Sequence, residues 1–187
     1  SEKICESSEI RVLTAQVGSN LGYAYALAGR INDGIPLLEK ANEQSEAIGR
    51  KGGWALRLTW LAHASLLEGR IGAAREHCQR ALALAGAGGE RGYQAWALKV
   101  LGDIVQEEAA GPSEALDHYN ASMKFATELA MRPLQAHIHL SRGRLHSREK
   151  QVEKARTELS LALTSYRSME MPFWLNAAEH ELNTLVH

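Results

Sequence analysis

Residues 21–30 read LGYAYALAGR and residues 61–70 read LAHASLLEGR. Both begin with Leu and a small residue, Leu21-Gly22 and Leu61-Ala62, and both close on Gly-Arg. The small residue recurs as Gly22, Ala62, Gly102 and Gly143, at spacings of 40, 40 and 41. Leu101 precedes the third, whereas Arg142 stands in the fourth place. A second small column follows twelve or thirteen residues on, as Gly34, Ala74, Ala115 and Ala155. A third lies seven residues beyond that, as Ala41, Ala81, Ser122 and Ala162. Between these two come the large partners Leu38, Cys78, Tyr119 and Leu159. Columns in step over most of a chain mark a stacked repeat.

Composition says what the repeat is made of. The 187 residues are 45% hydrophobic and 23% charged, with only four prolines and 6% aromatic residues. Strong helix formers fill the segments between glycines, and no long Val, Ile or Thr run suggests a strand. Each period therefore holds two helices. In the second period these are predicted over 54–68 and 73–85. Leu58, Leu61, Ala62 and Ser65 share one face of the first, and Leu56, Trp60, His63 and Leu67 another, so it packs on more than one side. Gly29, Gly69 and Gly86 suit left-handed helix ends. Asn32 and Ser113 suit N-caps. Pro133 and Pro172, and Pro36 in its helix, are expected in first turns, where an N–H is not missed.

This column pattern resembles the tetratricopeptide repeat: Leu21-Gly22, Tyr25, Gly34, Leu38 and Ala41, then Leu61-Ala62, Ser65, Ala74, Cys78 and Ala81. The third and fourth copies read Leu101-Gly102, Val105, Ala115, Tyr119, Ser122, and Gly143, His146, Ala155, Leu159, Ala162. The period exceeds the usual 34 and the closing consensus Pro is lacking, so longer helices are implied. The strings LGYAYALAGR, GERGYQAWALKVLGDI, MRPLQAHIHLSRGRL and MEMPFWLNAAEHEL further resemble the C-terminal repeat region of bacterial adenylate/guanylate cyclase-type AAA (STAND-like) ATPase signalling proteins. More loosely, they resemble the sensor repeats of maltotriose-responsive transcription activators. The resemblance implies an all-α, right-handed superhelix of about four antiparallel hairpins plus a C-terminal capping helix. Residues 1–187 form one domain, with repeats near 14–49, 50–90, 91–131 and 132–170 and a cap over 172–186. The first 13 residues extend the first helix or belong to a truncated repeat. A chain that starts at Ser1 without Met reads as a piece of a longer protein, or one with a tag scar.

The balance of 21 Lys+Arg against 22 Asp+Glu gives a net charge of -1, which argues against direct nucleic-acid binding. No apolar run approaches a membrane span of roughly 20 residues. Two cysteines make no disulfide framework and suit a reducing cytoplasm; Cys78 falls in a packing column and Cys5 near the terminus. Of the eight histidines, His137 and His139 are two apart and point in different directions. No His-Glu-x-x-His or Cys-x-x-Cys appears, so neither metal nor other cofactor is expected. Gly86, Gly88, Gly89 and Gly92 lack the Lys-Ser/Thr of a phosphate loop and read as a repeat junction. No catalytic set stands out, and the chain is read as no enzyme.

Binding is the remaining chemistry. In stacked hairpins the first helices line a concave groove. The position after the small residue holds Tyr23, His63, Asp103 and Arg144; three before it stand Ser19, Thr59, Lys99 and Leu140. Tyr23, Thr59, His63, Lys99, Asp103 and Arg144 are expected to form a polar stripe for a protein or peptide segment. Arg142, Arg144 and Arg148, with Lys150, Lys154 and Arg156, suggest a patch for an acidic partner. The predicted function is a scaffold for protein–protein or interdomain contacts, the regulatory region of a bacterial signalling ATPase or cyclase-like protein. The alternative is a small-molecule-sensing repeat domain of a transcription-regulator-like protein.

Overall fold

The computed structural model describes residues 8–49, 52–108 and 111–185. Cys5, Arg50 and the final residue of the predicted 172–186 helix lie outside them. The described residues form helices and turns, with no strand. The helices are α1 (Ser8–Leu27), α2 (Ile31–Ile48), α3 (Trp54–Leu67), α4 (Ile71–Ala87), α5 (Arg91–Glu107), α6 (Pro112–Glu128), α7 (Arg132–Arg148), α8 (Val152–Ser168) and α9 (Pro172–Thr184). Residues 8–13 extend the first helix. The fold is all-α, built of antiparallel helical hairpins, and it divides into two compact units, Ser1–Val100 and Leu101–His187.

The small columns mark where helices touch. In the first unit, a Cβ on Gly34 would lie 2.4 Å from the Gly22 carbonyl oxygen, so α1 and α2 meet backbone to backbone. In the second unit a Cβ on Gly102 would stand 2.5 Å from the Tyr119 ring, and one on Gly143 2.7 Å from Leu159. The large column thus fills the notch left by the small one at a separation of sixteen or seventeen residues. Cys78, Ala81, Ala115, Ala155 and Ala162 are likewise fully buried. The Cys78 thiol also points to the Ala97 carbonyl at 3.1 Å.

Each unit buries a core around these contacts. In the first, Ala26, Ile35, Leu38, Leu61 and Ala64 cluster, with Tyr23, Ile31 and Trp60 against them. Leu61 is 3% exposed beneath the preceding hairpin, whereas Leu21, at the same column, is 43% exposed. Stability in such arrays is shared between neighbouring hairpins. In the second unit Leu140, Leu159, Leu163 and Tyr166 cluster, and Trp174, Leu175 and Leu182 of α9 close over them.

Six of the turns share one pattern. After α1, the Gly29 N–H bonds the Ala26 carbonyl and the Arg30 N–H the Tyr25 carbonyl. The same pair of bonds closes the turns at Gly69, Gly89, Ala130, Lys150 and Glu170. Each has positive φ, the left-handed helix stop. Ala130, Lys150 and Glu170 adopt it without being glycine, at φ of 51°, 57° and 53°. Gly86, by contrast, is helical and Gly89 makes the stop. Gly86 and Gly92 thus lie inside α4 and α5, and only the short turn between them joins the helices.

Local capping also differs from the sequence expectation. Arg30 and Gly111 occupy the N-cap positions of α2 and α6. Asn32 and Ser113 are already helical, because the preceding turn, rather than a capping side chain, sets the helix start. Pro133 and Pro172 do open their helices. Pro36 does not: it is the sixth residue of α2. Its missing N–H leaves the carbonyl of the exposed Asn32 for water to satisfy.

Candidate functional site

The first helices of adjacent hairpins lie side by side within each unit. In the first unit, Tyr23 on α1 and His63 on α3, forty residues apart, share a hydrogen bond of 2.8 Å between the phenol oxygen and Nδ1. The Tyr23 ring also stacks on Trp60, with centroids 5.1 Å apart and planes 8° from parallel. Both Tyr23 and His63 are half-buried, as is Lys99 on α5. The structure therefore brings Tyr23 and His63 to one surface and adds Trp60, which sequence reading had placed only on an apolar face.

Thr59 is not part of that surface. It is 1% exposed, and its hydroxyl donates to the Ala55 carbonyl of its own helix at 2.9 Å. Ser19 and Leu140, at the same column, are equally buried. At this column Ser19, Thr59 and Leu140 face into the helix packing, and only Lys99 reaches the surface.

In the second unit Asp103, Tyr119 and Ser141 form one network. The Tyr119 hydroxyl and the Ser141 hydroxyl each donate to Asp103 Oδ1 at 2.8 Å. The Gln106 amide donates to the Tyr119 oxygen. Burial, and then the Asp103 charge, push the Tyr119 phenol far above its ordinary range, so it stays neutral and donates. Asp103 is thus a buttress joining α5, α6 and α7 as well as a half-buried surface group. Another such link joins Tyr166 on α8 to His137 on α7 at 2.8 Å, with Trp174 of α9 edge-on to His137 at 4.5 Å. Burial is the main cause that holds the Tyr166 phenol above its ordinary value as well.

The predicted acidic-partner patch looks different in space. Arg144 Nε donates to Glu181 at 2.7 Å, and Arg148 Nη2 to Glu107 at 2.5 Å. Arg142 donates to Asn120 at 2.5 Å and lies 3.8 Å from Glu158, which also meets His139 at 2.6 Å. Each of the three arginines already faces a carboxylate of its own chain, so the run of positive charge along α7 is largely neutralised from neighbouring helices.

Arg57 escaped the sequence reading altogether. It sits five residues before Ala62, in a column otherwise filled by Val17, Ala97 and Ile138. Ala97 and Ile138 are fully buried, and Arg57 is only 9% exposed. An arginine among small and aliphatic residues was the signal available.

With this geometry in view, residues 54–128 match a family model described as the tetratricopeptide repeat. No curated protein matches the sequence significantly. Among solved structures, the chain is similar to the crystal structure of BtubC (BKLC) from P. vanneervenii, at 15% identity and a TM-score of 0.62. That alignment covers 96% of this chain and 83% of the other. At this identity the likeness speaks for the fold, a tetratricopeptide-like array of helical hairpins. Such repeats serve generally as binding scaffolds for proteins and peptides.

Proposed function

We propose that residues 1–187 work as one non-catalytic repeat domain that docks a protein segment on its first helices. We further propose that this segment belongs to the same parent protein, a bacterial, cytoplasmic signalling ATPase or cyclase-like protein that the domain regulates. The observation that carries the docking reading is the side-by-side placement of first helices within each unit. It collects Tyr23, Trp60 and His63 on one surface, and Asp103, Ser141 and Arg144 on helices of the other unit. The sequence resemblance to the repeat region of cyclase-type ATPases supports the choice of parent. Docking would regulate by differential affinity for two states of the linked module.

The test separates the domain from the remainder of its parent and measures their binding in trans. His63→Ala and Arg144→Gln should weaken binding. The first also loses the Tyr23 bond and the second a partly exposed ion pair, so circular dichroism and melting curves should show a fold retained with only a small loss of stability. Asp103→Lys is a poor probe, since it breaks the Tyr119 and Ser141 bonds. Nucleotide turnover by the parent should change when the domain is removed. Undiminished binding by both variants would refute docking on the first helices. Unchanged turnover, or a parent without a nucleotide-using module, would refute the regulatory role.

A further inference from the structure

Arg57 carries a buried charge that meets no carboxylate among the described residues. Its Nε donates to Ser45 Oγ at 3.0 Å, and Nη2 makes a long 3.4 Å contact to the Gly52 carbonyl. Among the described residues no carboxylate comes within the 4.0 Å of an ion pair, and Nη1 has no hydrogen-bond partner. Burial lowers its pKa, with Tyr93 and Glu90 opposing, yet a guanidinium stays charged at neutral pH. The Nη edge borders a cavity, so a polar group admitted there can meet a cation that the protein itself pairs only in part. With Nε tied to Ser45 and Nη2 held only at long range by Gly52, the Nη fork keeps donors for a carboxylate.

The guanidinium lies beside Gly52 and Gly53, at the edge of a cavity of about 390 Å³ within the first unit. That volume is in the range of small-ligand sites. Gln16, Asn20, Leu56, Arg57, Trp60 and Glu90 contribute to its walls. Glu90 holds the Gly53 N–H at 3.3 Å through one oxygen, Oε1. The lining therefore offers one positive and one negative group, held too far apart to pair with each other. It adds two carboxamides and the apolar faces of Trp60 and Leu56. A simple anion would find Arg57 but be repelled by Glu90; a simple cation would meet the reverse. A molecule bearing both charges close together satisfies both.

We propose that this cavity binds a free α-amino acid as its zwitterion. The ligand carboxylate sits on the Nη fork of Arg57, the ammonium on Glu90, and the side chain along Trp60 and Leu56. This site borders the docking surface proposed above and shares Trp60 with it, but neither of its charged groups, Arg57 and Glu90, belongs to that surface.

The experiment is isothermal titration of the whole chain with each of the twenty free L-amino acids at millimolar concentration. Any amino acid that binds is retested as its N-acetyl and carboxamide derivatives. At least one amino acid should bind with one site per chain. Loss of either charge should weaken it about 10- to 100-fold, the scale of a charge-assisted hydrogen bond. Glu90→Gln should weaken the parent amino acid and abolish the discrimination against its N-acetyl form. Arg57→Gln should do the same for the carboxamide. Should the Arg57 variant fold poorly, the derivatives and Glu90→Gln still decide the question. The proposal is overturned if no amino acid binds, if the derivatives bind as well as the parent, or if acetate alone binds equally tightly.

Discussion

Gly102→Ala puts a single methyl group where the fold has no room for it. The added Cβ would lie 2.5, 2.8 and 2.9 Å from Cε1, Cδ1 and Cζ of Tyr119. Carbon atoms in favourable contact stand about 3.5–4.0 Å apart, so three ring atoms would have to retreat by roughly an ångström. The ring has nowhere to go. Tyr119 is fully buried, and its hydroxyl is held by Asp103 and Gln106. Overpacking of this kind costs about 1–3 kcal/mol. Against it stands the helix preference of Ala over Gly, about 1 kcal/mol. With three ring atoms in overlap the upper part of the range applies, and the net loss should be about 2 kcal/mol. Gly18→Ala is the internal control. It also lies in a helix, but nothing stands within 4 Å of its Cβ, so it should gain up to about 1 kcal/mol. Gly34→Ala should be at least as costly as Gly102→Ala, since its Cβ meets a backbone oxygen at 2.4 Å. Urea unfolding followed by circular dichroism ranks the variants. Hydrogen exchange of the α5 and α6 amides locates the loss for Gly102→Ala. A Gly102→Ala chain as stable as wild type, or one that gains like Gly18→Ala, would refute the close-approach reading of the small column.

Four further outcomes are expected. Tyr119→Phe removes one donor to Asp103 and should cost about 1.5–3 kcal/mol in urea unfolding, toward the low end because Asp103 reaches water. Lys150→Gly and Ala130→Gly should each stabilise by up to about 1 kcal/mol in the same assay, since a left-handed conformation is strained for both native residues. Burial, the largest influence on His77, holds it below its ordinary 6.5. The unfolded chain therefore takes up a proton near that pH that the folded chain refuses, so stability should fall as pH drops through about 6.5 and level off below the folded pKa. His77→Gln should flatten that part of the curve. Glu107→Gln breaks an ion pair whose partners are 43% and 53% exposed and should change stability by less than about 1 kcal/mol in thermal melts.

The hairpins were legible because close packing leaves a local signature. A helix pair that touches at Gly22 and Gly34 needs small residues twelve apart, and its large partner at Leu38 follows at a fixed distance. Those separations lie within one hairpin, where a sequence reading sees both sides of the contact. The turns were half legible. Gly29 and Gly69 announce themselves, but Ala130, Lys150 and Glu170 take the same positive φ under the compulsion of the flanking helices, with no residue type to reveal it. Thr59 was misplaced because polarity was taken for exposure. Its column also holds Leu140, an aliphatic residue with no reason to line a polar groove.

The charges of α7 read differently in space, for a reason the repeat itself contains. Arg142, Arg144 and Arg148 look like a patch when α7 is read alone. Their partners Glu181 and Glu107 lie 37 and 41 residues away, close to one period. So do the partners in Tyr23–His63, forty apart, and Asp103–Ser141, thirty-eight apart. A period near 40 therefore does more than count hairpins. It states which residues of successive first helices become neighbours, and so which charges neutralise one another. Applied to Arg57, the same rule looks to Val17 on one side and Ala97 on the other, neither of which can meet a guanidinium. The position stands out because its periodic neighbours cannot satisfy it, unlike those of Arg144 and Arg148. In a repeat array, a charge that the period does not pair is the one to examine for a ligand.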